Sequence, residues 1–129
     1  MNRKIAHIAL VVKDYDEAID FYVNKLRFNL IENTVLDENK RWVLVSPNRK
    51  HSSSLLLAKA VNNIQEKAIG NQSGGRVFLF LYTDDFNKDF QNLIDNKINI
   101  VREPKVEAYG TVAVFEDLYG NLWDLIQPK

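Results

Sequence analysis

The feature that most constrains this chain is an internal repeat, in which the second half restarts the strand–helix pattern of the first half. An offset of 71 residues places Asp14 on Asp85 and Tyr15 on Phe86. In both copies an aspartate follows an apolar strand and stands where it can cap the amphipathic helix behind it. Because a whole order of elements recurs with its cap in register, the sequence predicts two modules of one fold.

The first copy has the pattern of a strand, a helix and three further strands. Residues 4–12 are apolar and β-branched, which favours a strand. Asp14 and Glu17 form a capping box for a helix that is predicted to run to about Leu26. The remaining strands of this copy are predicted at 28–36, 41–45 and 54–58, with a polar turn at 37–40.

The second copy repeats this order. Its elements are predicted as a strand at 76–82, a helix that begins after Asp85, a strand at 98–101, a proline-containing connection at 102–109 and a hairpin at 111–126. Residues 61–74 are predicted to be a linker with at most one short helix. The fold class is therefore α+β: one domain of 129 residues built from two tandem βαβββ modules at about 1–60 and 75–129.

Composition excludes several classes of function. Lys plus Arg and Asp plus Glu number 17 each, so no basic excess points to a nucleic-acid partner. The chain has no cysteine, which removes disulfides, thiolate metal sites and cysteine nucleophiles. No signal peptide and no apolar run of membrane-spanning length is visible. We therefore expect a cytoplasmic protein with no membrane partner.

Two polar side chains interrupt strands that are otherwise apolar. Asp124 shares a strand face with Leu122 and Ile126, and a charge is rarely found there without a partner. His7 lies in the first strand. From the residues alone, His7 is compatible with a hydrogen-bonded core histidine and Asp124 with a surface carboxylate.

Two stretches carry a resemblance to a known family. They are HIALVVKDYDEAIDFYVNKLRF at 7–28 and VAVFEDLYGNLWDLIQ at 112–127. With the repeat, they resemble the vicinal-oxygen-chelate superfamily, the group of glyoxalases, bleomycin-resistance proteins and extradiol dioxygenases, over essentially the whole chain. The resemblance implies curled mixed sheets that form two half-barrels around a cleft. It also implies a homodimer.

The resemblance further implies where a metal site would lie. The four ligand positions of metal-dependent relatives fall on His7, Leu56, Phe78 and Asp124. Because the resemblance implies that Asp124 points into the cleft, one hypothesis is that His7 and Asp124 approach each other there as an acid–base pair. Leucine and phenylalanine have no donor atom, and a divalent cation needs about three protein donors to be held specifically. We therefore expect no metal cofactor and an apolar cleft floor at Leu56 and Phe78. A divalent metal site that a partner chain or water molecules complete stays open as an alternative.

These observations lead to one main functional hypothesis and two others. The main hypothesis is a protein that binds a small apolar or aromatic molecule in a metal-free cleft, with His7 and Asp124 as polar groups. Arg102 and Tyr109 are predicted at the rim, where the arginine can bind a ligand carboxylate. The alternative is a divergent lyase or dioxygenase that uses His7 and Asp124. A scaffold domain with a filled cleft is the third. The other strand aromatics are predicted to lie mostly in the core or a dimer interface: Trp42, Phe80, Phe115 and Trp123.

Overall fold

The computed structural model describes all 129 residues and divides into two compact units, Met1–Ile69 and Gly70–Lys129. Each unit contains one βαβββ module, as the repeat predicted, and the α+β fold class is confirmed. No helix of the chain combines the length and the apolar content that crossing a membrane requires.

The first unit holds a four-stranded mixed sheet in the order β1-β4-β3-β2. Strands β1 and β4 are parallel, and the other neighbours are antiparallel. The elements are β1 (His7–Val12), α1 (Tyr15–Ile19), a π-helical segment (Asp20–Lys25), β2 (Asn29–Val35), β3 (Arg41–Ser46), β4 (Ser54–Lys59) and α2 (Asn63–Ala68).

The predicted cap of the first helix is confirmed. The Asp14 carboxylate accepts a hydrogen bond from the Glu17 backbone N–H at 2.9 Å. The helix also extends to Lys25, close to the predicted end, but its second half is π-helical, because the Leu26 N–H bonds to the Phe21 carbonyl five residues earlier. The apolar stripe of this helix packs on the sheet, where Tyr22 has no exposed surface.

The second unit repeats the topology of the first, with strand order β5-β8-β7-β6 and a parallel β5–β8 pair. Its elements are β5 (Val77–Tyr82), α3 (Phe86–Asp95), β6 (Ile100–Glu107), β7 (Gly110–Glu116) and β8 (Leu122–Pro128). The Asp85 side chain caps α3 by accepting from the Lys88 N–H. Both predicted helix caps therefore occur at the equivalent positions of the repeat.

One predicted boundary in the second unit was wrong. Residues 102–109 were expected to be a connection because they contain Pro104, but β6 continues through them to Glu107. Strand β6 is the edge of its sheet, where a residue without an N–H is tolerated. The pairing with β7 shifts between Arg102 and Lys105, so the proline lies at an irregularity in the ladder.

The β7–β8 turn is held by a buried carboxylate. Asp117 is 4% exposed, and its Oδ1 accepts from the backbone N–H groups of Tyr119 and Asn121, both at 2.9 Å. Its Oδ2 accepts from the Asn121 side-chain amide, whose own oxygen accepts from the Gln72 N–H. The turn also touches the start of the unit, because a Cβ on Gly70 would lie 2.0 Å from the Tyr119 carbonyl oxygen.

We expect Asp117→Ala to lower the free energy of unfolding by about 3 kcal/mol, because it leaves buried donors of Asn121 without an acceptor. Asp37→Ala is the matched control, since Asp37 caps an exposed turn with one hydrogen bond to the Asn39 N–H. The control should cost less than about 1 kcal/mol. Urea denaturation of both variants measures the difference, and equal losses would contradict a special role for the Asp117 turn.

Candidate functional site

The two faces of the second sheet differ in what covers them. On one face lie Trp123, Leu125 and Gln127, and the Gln127 side-chain oxygen accepts from the Phe86 N–H of α3. Helix α3 therefore packs on that side, where Trp123 and Leu125 are buried. Asp124 points to the opposite side because side chains alternate along a strand. We call this opposite side the Asp124 face.

A single row of four paired residues crosses the Asp124 face. The strand register joins Phe80 to Asp124, Asp124 to Val114 and Val114 to Arg102. Paired residues of neighbouring strands project to the same side of a sheet, so this row runs from edge strand β5 to edge strand β6. We call it the Phe80–Arg102 row. It contains two of the predicted site residues, Asp124 and Arg102.

The exposure of the row varies along its length. Phe80 is 61% exposed, and Tyr82, two residues further along the same strand, is 69% exposed. Asp124 is half-buried, Val114 is buried and Arg102 is exposed. Two aromatic rings therefore lie open to solvent at one end of the row, beside the half-buried carboxylate.

The carboxylate of Asp124 lies in an unfavourable environment for a charge. It forms no hydrogen bond and no ion pair with any side chain of the chain. Burial raises its pKa, and the Arg102 guanidinium offsets part of that rise. Arg102 itself is not in an ion pair either, in contrast to Arg41, which is paired with Asp16, and Lys105, which is paired with Glu107. Asp124 and Arg102 thus influence each other without contact.

His7 lies at the start of β1 and is exposed. Its ring meets the Trp42 ring edge-on, with centroids 5.9 Å apart and an interplanar angle of 81°. The contact that involves His7 is therefore with a strand aromatic of its own unit, whereas Asp124 interacts with Arg102. The hypothesis of a His7–Asp124 pair stays a prediction.

The remaining predicted site residues are placed as follows. Leu56 pairs with Ala9 in the first sheet just as Asp124 pairs with Phe80 in the second, and it is half-buried. Phe78 lies at a register shift of β5 and is also half-buried. Tyr109 is 59% exposed at the β6–β7 turn.

Sequence reasoning missed the two aromatics beside Asp124. It grouped Phe80 with residues of the core or a dimer interface, and only the buried Phe115 and Trp123 are core residues. The available signal was the alternation in RVFLFLY, which puts Phe80 and Tyr82 on one face of the strand. It was not decisive because the intervening residues are apolar as well.

The residues at the family's metal-ligand positions do not fit a metal ion. Leu56 and Phe78 offer no donor, and no group of three or more His, Cys, Asp or Glu side chains in the chain is arranged to hold one. The Phe80–Arg102 row has a different chemistry. It offers aromatic surface, one acceptor and one cation.

A separate hollow in the first unit has a cavity volume of about 180 Å³ and is lined by Tyr15, Lys59 and the β2–β3 turn. The arginine in its lining, Arg41, already has partners. It forms two hydrogen bonds to Asp16, at 2.9 and 3.0 Å, and lies 4.9 Å over the Tyr15 ring. The hydrogen bond from Arg41 lowers the pKa of Asp16. The contacts of Arg41 with Asp16 and Tyr15 join α1 to β3, so this arginine has a structural role.

The chain thus has two βαβββ modules, each with a mixed sheet, and a half-buried carboxylate on its last strand. The family model "Glyoxalase/Bleomycin resistance protein/Dioxygenase superfamily" matches residues 4–125. The chain belongs to this superfamily, which confirms the resemblance seen in the sequence.

Three similar proteins extend this assignment. A protein of Shewanella frigidimarina (strain NCIMB 400), described as uncharacterized, is 62% identical over 98% of this chain and 95% of its own length. The crystal structure of UcmS2 is 25% identical, with a TM-score of 0.83, and covers 98% of both chains. The structure of TnmS3, an antibiotic binding protein from Streptomyces sp. CB03234, is 27% identical, has a TM-score of 0.79 and covers 99% of this chain and 98% of its own.

We expect Asp124→Asn to raise the melting temperature at pH 7.5, because the amide removes a charge that burial disfavours. A carboxyl whose pKa is raised in the folded state destabilises it as pH rises through the window between the unfolded and folded pKa values. The gain should therefore shrink as the pH is lowered through that window.

Thermal unfolding between pH 4 and pH 8 measures this effect. Asp84→Asn is the control, since Asp84 is an exposed carboxylate of the same unit. A lower melting temperature for Asp124→Asn at pH 7.5 would show that the charge has a stabilising partner and would contradict the prediction.

Proposed function

We propose that this protein binds a small apolar or aromatic organic molecule on the Asp124 face and needs no metal to do so. The observation that carries the proposal is the exposure of Phe80 and Tyr82 beside a half-buried carboxylate without a hydrogen-bond partner. Exposed aromatic rings with a polar group at their edge are the usual composition of a ligand site. The cytoplasmic location and the homodimer stay predictions.

The physical gain from covering these rings is considerable. Apolar surface removed from water contributes about 25 cal/mol per Å², and aromatic side chains add ring-stacking contacts to it. A flat ligand can cover Phe80 and Tyr82 together, because residues two apart on a strand are neighbours on one face.

The comparison with solved structures supports a binding role. TnmS3 is described as an antibiotic binding protein, and this chain covers nearly all of it with the same fold. We extend only the general function to this chain, which is the binding of an organic molecule. The identity of the molecule does not follow from a likeness at 27% identity.

A second candidate function is that of a divergent lyase or dioxygenase. The observation that favours it is the raised pKa of Asp124, since a desolvated carboxyl near an open surface can act as a proton acceptor. His7 would be the second polar group of such a site. Elemental analysis of purified protein distinguishes the two functions: a stoichiometric divalent metal that is lost in His7→Ala would favour the enzyme.

We expect a thermal-shift screen of naphthalene, quinoline and anthraquinone compounds to yield at least one compound that raises the melting temperature of metal-free protein. Phe80→Ala should weaken its binding about tenfold or more, because a ring removed from the contact loses about 2 kcal/mol of apolar burial. Tyr82→Ala should have the same direction of effect.

Ile64→Ala is the matched control, since Ile64 is 83% exposed on α2 in the other unit. Its affinity should stay within about twofold of the wild-type value, as expected for a surface substitution away from the site. The absence of any stabilising compound, or binding that both aromatic substitutions leave unchanged, would contradict the proposed function.

A further inference from the structure

We infer that the ligand has three groups in a fixed order: an apolar ring, a protonated amine and an anionic group, which bind to Phe80, Asp124 and Arg102. This inference rests on the proposed function and adds the chemical class of the ligand. It follows from the order of side chains along the Phe80–Arg102 row, which no single residue of the row would reveal.

The side chains that would contact the ligand lie in one line across the sheet. Phe80, Asp124, Val114 and Arg102 lie on four successive strands in direct register. Neighbouring strands are about 4.8 Å apart, so the backbones that carry Asp124 and Arg102 are separated by about 10 Å. Tyr82 enlarges the aromatic end of the row. The sheet therefore offers a ring surface, an acceptor and a cation along one line.

The Asp124 carboxylate has no hydrogen-bond donor in the chain. Asp124 is half-buried and makes no hydrogen bond and no ion pair. A desolvated carboxylate without a donor is costly, and a donor that is itself charged offsets that cost best. A protonated amine fits this requirement, because it carries two N–H donors when secondary or three when primary, together with a positive charge.

The Arg102 guanidinium has no anionic partner in the chain. Arg102 is exposed and forms no ion pair, while Arg41 in the other unit forms two hydrogen bonds to the Asp16 carboxylate. Val114 separates Arg102 from Asp124 in the register, so the two charges act on each other at a distance without neutralising each other. The guanidinium remains available for a carboxylate or phosphate of the ligand.

The first sheet lacks this arrangement at the equivalent positions. Its register joins Ala9 to Leu56, Leu56 to Leu44 and Leu44 to Glu32. Leucine replaces the acceptor, and an acidic residue replaces the cation. The ordered set of ring, acceptor and cation is therefore a property of the second unit alone.

The experiment uses four probes with a common naphthylmethyl ring. N-(2-naphthylmethyl)-4-aminobutanoic acid carries both charges in the inferred order, and N-(2-naphthylmethyl)butylamine carries only the cation. 6-(2-naphthyl)hexanoic acid, which has the same chain length, carries only the anion, and 2-naphthylmethyl butyl ether carries neither. Calorimetric titration of the full chain at pH 7.5 gives the four dissociation constants.

We expect the amino acid to bind most tightly and the ether most weakly. Asp124→Asn should weaken the amine and the amino acid about tenfold, the usual effect of one hydrogen bond to a charged group, and leave the ether within about twofold. Arg102→Gln should weaken only the two probes that carry a carboxylate. Arg41→Gln should change none of them.

Three other outcomes would each contradict a different part of the two proposals. If all four probes bind equally and depend on Phe80, the proposed function stands and the inferred order of charges is wrong. If the hexanoic acid binds most tightly, and Asp124→Asn does not weaken the amine, the acceptor role of Asp124 is wrong. If no probe binds, the Asp124 face is not a site for ligands of this kind, and both proposals fail for it.

Discussion

The parallel pairing of the first and last strands of each module is the constraint on which the rest of this structure depends. Strands β2, β3 and β4 return in antiparallel steps until β4 lies beside β1, and β8 reaches β5 in the same way. Parallel neighbours need a connection with a helix, which α1 and α3 provide. Because of this pairing, a carboxylate near the end of the sequence, Asp124, lies beside Phe80 at the start of the second module.

Much of this architecture could be predicted from the sequence because its signals are local. The caps at Asp14 and Asp85 require only a side-chain oxygen and an N–H three residues later, and both hydrogen bonds are present. The hairpin predicted at 111–126 is formed by β7 and β8, and the turn between them contains Gly120 and Asn121, residue types that favour turns.

The rest depended on information that a single strand does not contain. Pro104 suggested a loop, and only the position of β6 at the edge of the sheet explains why a strand accepts it. The 71-residue offset selected Phe78 as the counterpart of His7, but the residue paired with Asp124 is Phe80, just as Ala9 and not His7 is paired with Leu56 in the first sheet. Register and edge position are properties of the whole sheet, so periodicity alone could not give them.

Two aspartates on the same hairpin show how structure and function divide in this protein. Asp117 is almost completely buried, and its carboxylate accepts hydrogen bonds from two backbone N–H groups and one side-chain amide of the turn. Its role is therefore to hold the turn in place. Asp124, on the adjoining strand, is less buried and accepts none, although burial disfavours its charge. A residue that costs stability in the unliganded protein is easier to understand if a ligand supplies its partner. The same reasoning applies to Phe80, whose exposed ring is unfavourable in water until it is covered. Asp124 and Phe80 lie on one face and in one row, which is the arrangement expected when a single bound molecule satisfies both of them.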